Sequence, residues 1–449
     1  TETTDVFRTK SVDVVTTDTK NVGSSLSSGG NLRISSGNKL TVQGSDIEGG
    51  KDVEIKAKNM EFLAGKDSHT TETTTSDTRA GAYVGGYNEA SVEARGEVSG
   101  NGAGAKAEVK VGANVELKAG MGVQGKNTFT KSTEKNSTAR VSTITSGSGS
   151  ISRKAENSIT DVGTDIEAAG DFNQSSKTFT SKAAKDTSTK TSFSTTNSAK
   201  LGIYADVAAG AKVKAEANTN EVPDAPEAGV KAKVTAGVNA SYSGKMSNET
   251  ESSSTAVVSS IKSGGKVKIV TSEKTSLEGT LIDGGKSVEL EAGSLDYSAA
   301  KNTTSKTSTS GSVDASVELG VGVDATKAVA VDVELAGDFK GKSKSESTST
   351  AAAGGIISGG DISIKTKDDT RLEGTNLTSK GDTSLAAGGD IVFDAARDTA
   401  KSSELTVEAS ASVTTSKGKN SLGVGAKAAG GVKFESAASS DAKAGAVNT

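Results

Sequence analysis

The sequence has no Cys and no Trp, one His and two Pro among 449 residues, and aromatic side chains make up 3% of it. Without Cys there is no disulfide, iron–sulfur cluster, thiolate zinc site or thiol nucleophile. The single His, His69, has no second His or Cys to work with, so it reads as a surface residue rather than a base or a ligand. A run of about 18 apolar residues, the length a membrane helix needs, is also missing. No charged start leads into an apolar stretch as in a signal peptide; the opening TETTDVFRTK reads as the middle of a pattern, a segment of something longer. With 52 basic and 56 acidic residues the net charge is −4, which gives no electrostatic footprint for nucleic acid or acidic lipid.

The hydrophobic set is 33% of the chain, too little for the several conventional cores that this length would otherwise hold. Disorder is excluded from the other side, because the chain is rich in Val, Ile and Thr and nearly free of Pro. Asp368-Asp369 is its only acidic doublet, and neither a calcium-binding nonapeptide nor a GxxxxGK[ST] phosphate loop occurs. Triplets such as Asn136-Ser137-Thr138 and Asn248-Glu249-Thr250 are expected by chance in so Ser/Thr-rich a sequence. Composition therefore predicts no catalytic residue, no metal, no cofactor and no enzymatic activity.

What the chain does contain is repetition. Four segments of about 38 residues start at Gly30, Gly149, Gly265 and Gly360. The first keeps Leu32, Ile34, Leu40, Val42, Ile47, Val53, Ile55, Met60 and Phe62 apolar, and the third repeats eight of these nine positions from Val267 to Tyr297. The second is more degenerate, retaining Ile151, Ile159, Ile166, Phe172 and Phe179. Apolar residues recur at i and i+2 between Gly, Asn and Asp turns, which predicts strands of three to five residues. Gly pairs recur after 20 residues, at Gly29-Gly30 and Gly49-Gly50. A period of this size fits one turn of a parallel β-solenoid, with each coil about 4.8 Å above the last. Each segment then supplies two coils, and a thin column of Val, Ile and Leu is core enough.

The stretches between segments share one plan: a Thr/Ser-rich arm, an alternating apolar arm, a tip, and the same in reverse. In the second, Leu201 to Val213 and Val230 to Tyr242 alternate, and both prolines, Pro223 and Pro226, lie in the tip. These are predicted long hairpins with one apolar face on polar stems. Two coils rise by about 9.6 Å, the width of two strands, so hairpins leaving every two coils can lie edge to edge in one sheet. Cover of the apolar face by the solenoid or by neighbouring hairpins is the expected arrangement. If the face is instead a working surface, its partner- or membrane-facing positions are Val109, Val111, Val115, Leu117, Val230, Val234, Val238, Val317, Leu319, Val331 and Val333.

The expected fold is all-β, a right-handed parallel β-helix with long β-hairpin extensions. Its divisions are the end of a preceding hairpin at 1–28, β-helix modules at 29–67, 147–186, 263–302 and 358–398, and hairpin extensions at 68–146, 187–262, 303–357 and 399–449.

The LEGT block at Leu277 to Thr280 and Leu372 to Thr375, the GGD and GGK corners, the AAKD-like ends at Ala183 to Asp186, Ala299 to Asn302 and Ala395 to Asp398, and the Ser/Thr-rich inserts resemble the haemagglutinin repeats of filamentous haemagglutinin-like exoproteins. That two-partner-secretion family includes adhesins and contact-dependent growth inhibition effectors. The resemblance covers nearly the whole chain. It implies a β-helical filament, secreted to the cell surface of a Gram-negative bacterium through the outer-membrane transporter of the secretion pair. It also implies a role in adhesion or cell contact, with a host surface or a target-cell outer membrane as partner. The alternative it implies is a membrane-engaging module that helps an inhibition effector deliver its toxin across the target outer membrane. The family's secretion-signal domain and C-terminal toxin are not among these residues, so neither activity is assigned to them. A polysaccharide-processing β-helix enzyme is the third reading, and it lacks the clustered carboxylates such a site needs.

Overall fold

The computed structural model describes residues 2–99, 106–218, 227–324, 329–418 and 421–439, with side chains described for 6–86, 90–92, 110, 112–214, 229–324 and 329–413. Among the described residues the regular elements are all strands. Eight coils, at 25–43, 46–63, 142–162, 164–182, 260–278, 281–298, 354–373 and 375–394, stack in parallel as a β-helix. One wall is an eight-stranded sheet with one strand from each coil, and the remaining strands of the coils form a 14-stranded sheet. At about 4.8 Å per coil the rod is about 40 Å long.

The alternating apolar residues of each short strand become columns along the axis. Ile47, Ile144, Ile166, Ile261, Ile282 and Ile356 stand directly above one another, all essentially buried. Val53, Ile151, Phe172, Val267, Val288 and Ile362 form a second column. The interior is one apolar cluster running the length of the rod, which is how a chain poor in large side chains still closes a core. At the last coil Ile391 and Phe393 are exposed, because no described coil stacks beyond them.

Three recurring sequence signatures have separate mechanical causes. In the Gly-rich corners a polar side chain accepts the backbone N–H of the equivalent residue one coil on. Asn31 accepts from Asp52 at 3.2 Å, Asp52 from Ser150 at 2.9 Å, and Asp171 from Lys266 at 2.8 Å. The glycine of the LEGT-like block is the left-handed corner, with φ of 52°, 58°, 60° and 59° at Gly44, Gly163, Gly279 and Gly374. A Cβ at Gly279 would lie 2.6 Å from the Cβ of Ala300, and one at Gly163 2.6 Å from that of Ala184, so each corner glycine faces the small residue of an AAKD-like end. We expect Gly279→Ala to cost about 1–3 kcal/mol from the strained conformation alone, with the close Ala300 methyl adding to it; chemical denaturation followed by circular dichroism reads this directly.

The third signature joins rod to hairpins. Hairpin I consists of Gly65–Ser99 and Lys106–Arg140, hairpin II of Ala184–Asn218 and Glu227–Val257, hairpin III of Ala300–Asp324 and Val329–Ala352, and hairpin IV of Thr399–Gly418 and Ser421–Ser439. A lone arm, Glu2–Thr19, precedes them. Each hairpin leaves the rod after two coils. The acidic or amide residue that ends the AAKD-like motif sits at the base of one outgoing arm and accepts a backbone N–H from the preceding return arm. Asp186 accepts from Ala139 at 2.6 Å, Asn302 from Ala256 at 2.7 Å, and Asp398 from Ala351 at 2.7 Å. Asp67 does the same for Asn21, behind the lone arm, at 2.6 Å. Stitched this way, the lone arm and the four hairpins make one nine-stranded antiparallel sheet.

Candidate functional site

Antiparallel pairing brings the apolar residues of successive arms into straight rows. Ala82, Val123, Leu201, Ala240, Val317 and Leu335 form one row; Val84, Met121, Ile203, Val238, Leu319 and Val333 the next; and Leu117, Val207, Val234, Val323 and Val329 another further out. All lie on one face, because the side-chain period of a strand is two. Six arms at about 4.8 Å and several rows at about 6.8 Å make a patch on the order of 1,000 Å², well beyond ordinary surface apolarity.

The expected cover is not there. Among the described residues neither rod nor hairpin packs over this face, and hairpins meet through backbone hydrogen bonds that leave it open. Val230 is 73% exposed, Val234 52% and Leu117 49%; Val115, Val238, Val317, Leu319 and Val331 are likewise exposed and Val333 is half-buried. The side chains of Val109 and Val111 lie outside the described residues, as does the proline-bearing tip. The physical reason is the stem. From Ala184 to Ser198 the arm is almost wholly polar, about 15 residues or about 50 Å of strand, so the apolar rows stand too far out to fold back on the rod.

Aromatic residues on this face are confined to its stem-side border. Phe7 shares a row with Ala80, Ala199 and Tyr242; Phe339 lies in the next row, Phe129 in the one after, and Phe193 in the fourth. Phe129 and Phe193 meet edge to face at 6.3 Å between centroids. Beyond the border the described side chains of the face are Ala, Val, Leu, Ile and Met with a single Gly.

The reverse face has different chemistry. Tyr204 is buried here, and its ring lies across glycines of the neighbouring arms: a Cβ at Gly237 would meet it at 2.7 Å. The Lys118 ammonium sits 4.5 Å above this ring and bonds Glu318 at 3.1 Å, while Lys233 pairs with Asp332 and Tyr83 donates to Asn239 at 3.4 Å. Burial, then the Glu318 carboxylate, push the Tyr204 phenol up. Asp206 is also raised, by burial and then by Glu116, and its Oδ1 has no hydrogen-bond partner. A carboxyl raised in the fold is a cost that is present at neutral pH and relieved as pH falls through the folded value. Asp206→Asn should therefore hold or raise the thermal midpoint at pH 7, and the advantage should vanish in acid; a drop at pH 7 would mean that the carboxylate is a structural acceptor.

His69 lies on the stem of hairpin I, Nδ1 2.5 Å from Asp18 Oδ1 and Nε2 3.0 Å from Thr71 Oγ1. It ties the lone arm to hairpin I on the open sheet surface, its side chain half exposed. Among the described residues no cluster of His, Cys, Asp and Glu is arranged to hold a metal ion, and no helix is long and apolar enough to cross a membrane.

Sequence reasoning missed one group that the rod contains. Arg153 and Asp161 point into the core and pair bidentately at 2.9 and 2.8 Å, both fully buried. Gln174 accepts from the same guanidinium, and Phe62, Phe172 and Phe179 surround it at 5.2, 5.4 and 6.0 Å.

A profile of the hemagglutinin repeat matches residues 8–127, 240–339 and 336–449. A protein named hemolysin from Serratia marcescens is 27% identical over 453 residues, an alignment that takes in 96% of this chain. The chain spans 25% of that relative's length.

Proposed function

Since the chain belongs to the hemagglutinin-repeat family, we propose that it is a non-catalytic repeat segment of a large secreted exoprotein, in which the β-helix is the structural rod and the hairpin sheet engages the outer membrane of a neighbouring cell. The observation that carries this reading is the aromatic border beneath a purely aliphatic field, all of it uncovered. Strands that face lipid show this order, an apolar band edged by aromatic residues at the interface, with polar residues on the opposite face. Thirteen residues from Leu201 to Val213 extend about 43 Å, which is a depth of about 30 Å at a tilt of about 45°. That depth matches the hydrocarbon layer.

On this reading the rod sets distance and the stems present the sheet, while the surface position and the outer-membrane transporter follow from the family's mode of export. Toxin delivery by the parent protein is one use of such contact and adhesion is another. Incubation of the full chain with outer-membrane vesicles and a protease tests the common step: residues 201–242 should be protected with vesicles and cleaved in lipid-free buffer. Equal cleavage in both would leave adhesion along the rod as the function and the sheet without a membrane role.

A further inference from the structure

At the height of the aromatic border, the reverse face of the sheet carries cations. Arg79, Lys126, Lys200 and Lys245 come from four successive arms and line one shallow groove of about 560 Å³, together with Ser198 and Ser243. All six belong to the polar parity, in rows that interleave with those of Ala80, Tyr242 and Phe129 on the other side. No carboxylate lines the groove. Arg79 is engaged by Asp77, but among the described residues no ion pair involves Lys126, Lys200 or Lys245; Lys200 lies 5.8 Å from the Tyr83 ring centroid. The acids nearest to the groove are Asp77, taken up by Arg79 and Arg8, and Asp314, opposite Ser243 on the next arm. Some lysines elsewhere on the sheet are paired, as Lys131 with Glu72 and Lys306 with Glu249. Three unpaired ammonium groups and two hydroxyls in one groove are a donor set for an anion with several oxygens.

We infer that this groove binds the phosphate of an anionic lipid headgroup. The inference deepens the membrane reading and rests on it, because the aromatic border on the opposite face would place the groove at headgroup level. The ligand is a phosphorylated amphiphile rather than nucleic acid: the groove is confined to three adjoining rows, and beyond it the Lys118–Glu318 and Lys233–Asp332 pairs are neutral overall.

The test compares the full chain with its Lys126→Gln/Lys200→Gln/Lys245→Gln variant, all three changes at exposed positions. Binding is measured to vesicles of phosphatidylcholine, to vesicles that also contain phosphatidylglycerol, and to inorganic pyrophosphate. The native chain should prefer the anionic vesicles by roughly 100-fold at low salt, the scale for three lysines at an anionic surface. The variant should lose this preference and keep its binding to phosphatidylcholine. A charge-matched control on the rod, Lys58→Gln/Lys154→Gln/Lys177→Gln, should keep both. An unchanged preference in the groove variant, or an equal loss in the control, overturns the inference. Pyrophosphate binding without any preference between vesicles overturns the lipid as source. A native chain that binds both vesicles equally defeats the groove alone, whereas one that binds neither defeats the membrane reading and the groove with it.

Discussion

Arg153→Ala is expected to destabilise the third and fourth coils by about 3–5 kcal/mol, the usual cost of stranding one partner of a buried ion pair. Asp161 is fully buried and has no solvent to turn to, and Gln174 would lose its donor as well. The contacts of the guanidinium with Phe62, Phe172 and Phe179 would go too, leaving a cavity among three rings. The paired change Arg153→Met with Asp161→Leu should behave differently. It keeps the volume and removes both charges, and such exchanges are neutral or stabilising by about 1–4 kcal/mol. The unbonded Nε of Arg153 and Nε2 of Gln174 point the same way, since the polar cluster is not fully satisfied. Because each coil leans chiefly on its neighbours, limited proteolysis near residues 142–182 should report the single change before global unfolding does. A single variant within about 1 kcal/mol of the parent, by denaturant unfolding, would contradict a buried pair.

That pair also shows where sequence reading stopped. Written out as columns, Arg153 occupies the level of Ile55 and Ile269, and Asp161 that of Phe62 and Leu277. The signal was therefore present as two opposite charges at inward positions of the same coil, and it looked like degeneracy because periodicity registers only the apolar residues. The β-helix itself was legible, since its strands are short, alternate cleanly and repeat. So was the existence of one apolar face along the described arms. Whether that face was covered was not, because cover depends on how far the stem holds it from the rod, and Thr and Ser arms give no hint of their direction. The cationic groove was equally hidden: Arg79, Lys126, Lys200 and Lys245 are far apart in sequence and meet only through antiparallel register.

The second large effect concerns the uncovered face. Val230→Asp, Val234→Asp and Val238→Asp together should abolish association with outer-membrane vesicles while leaving the rod's unfolding transition where it was. In lipid each carboxylate on a strand's apolar side costs on the order of 1–3 kcal/mol, so three exceed two decades of affinity. In water the same positions are already 73%, 52% and 46% exposed, and the loss is limited to the strand preference of Val over Asp, a few tenths to about 1 kcal/mol each. Circular dichroism and vesicle flotation on one preparation separate the two. Intact flotation of the variant would remove the face from the contact; a lowered rod midpoint would mean that it packs against the protein after all.

Two coils and two arms advance by the same distance, and each hairpin is stitched to the one before it by Asp186, Asn302 or Asp398. Rod and sheet are thus meshed like a rack and its gear, with one tooth per pair of coils. A gene that gained or lost a single coil would offset the two by about 4.8 Å at that point and break the stitch there. Arm length is not set by the coils; hairpin III, with arms of 25 and 24 residues, sits beside hairpin II with 35 and 31. Lineages of this architecture should therefore change length by whole modules, each two coils with a hairpin, while the reach of individual hairpins changes without disturbing the mesh.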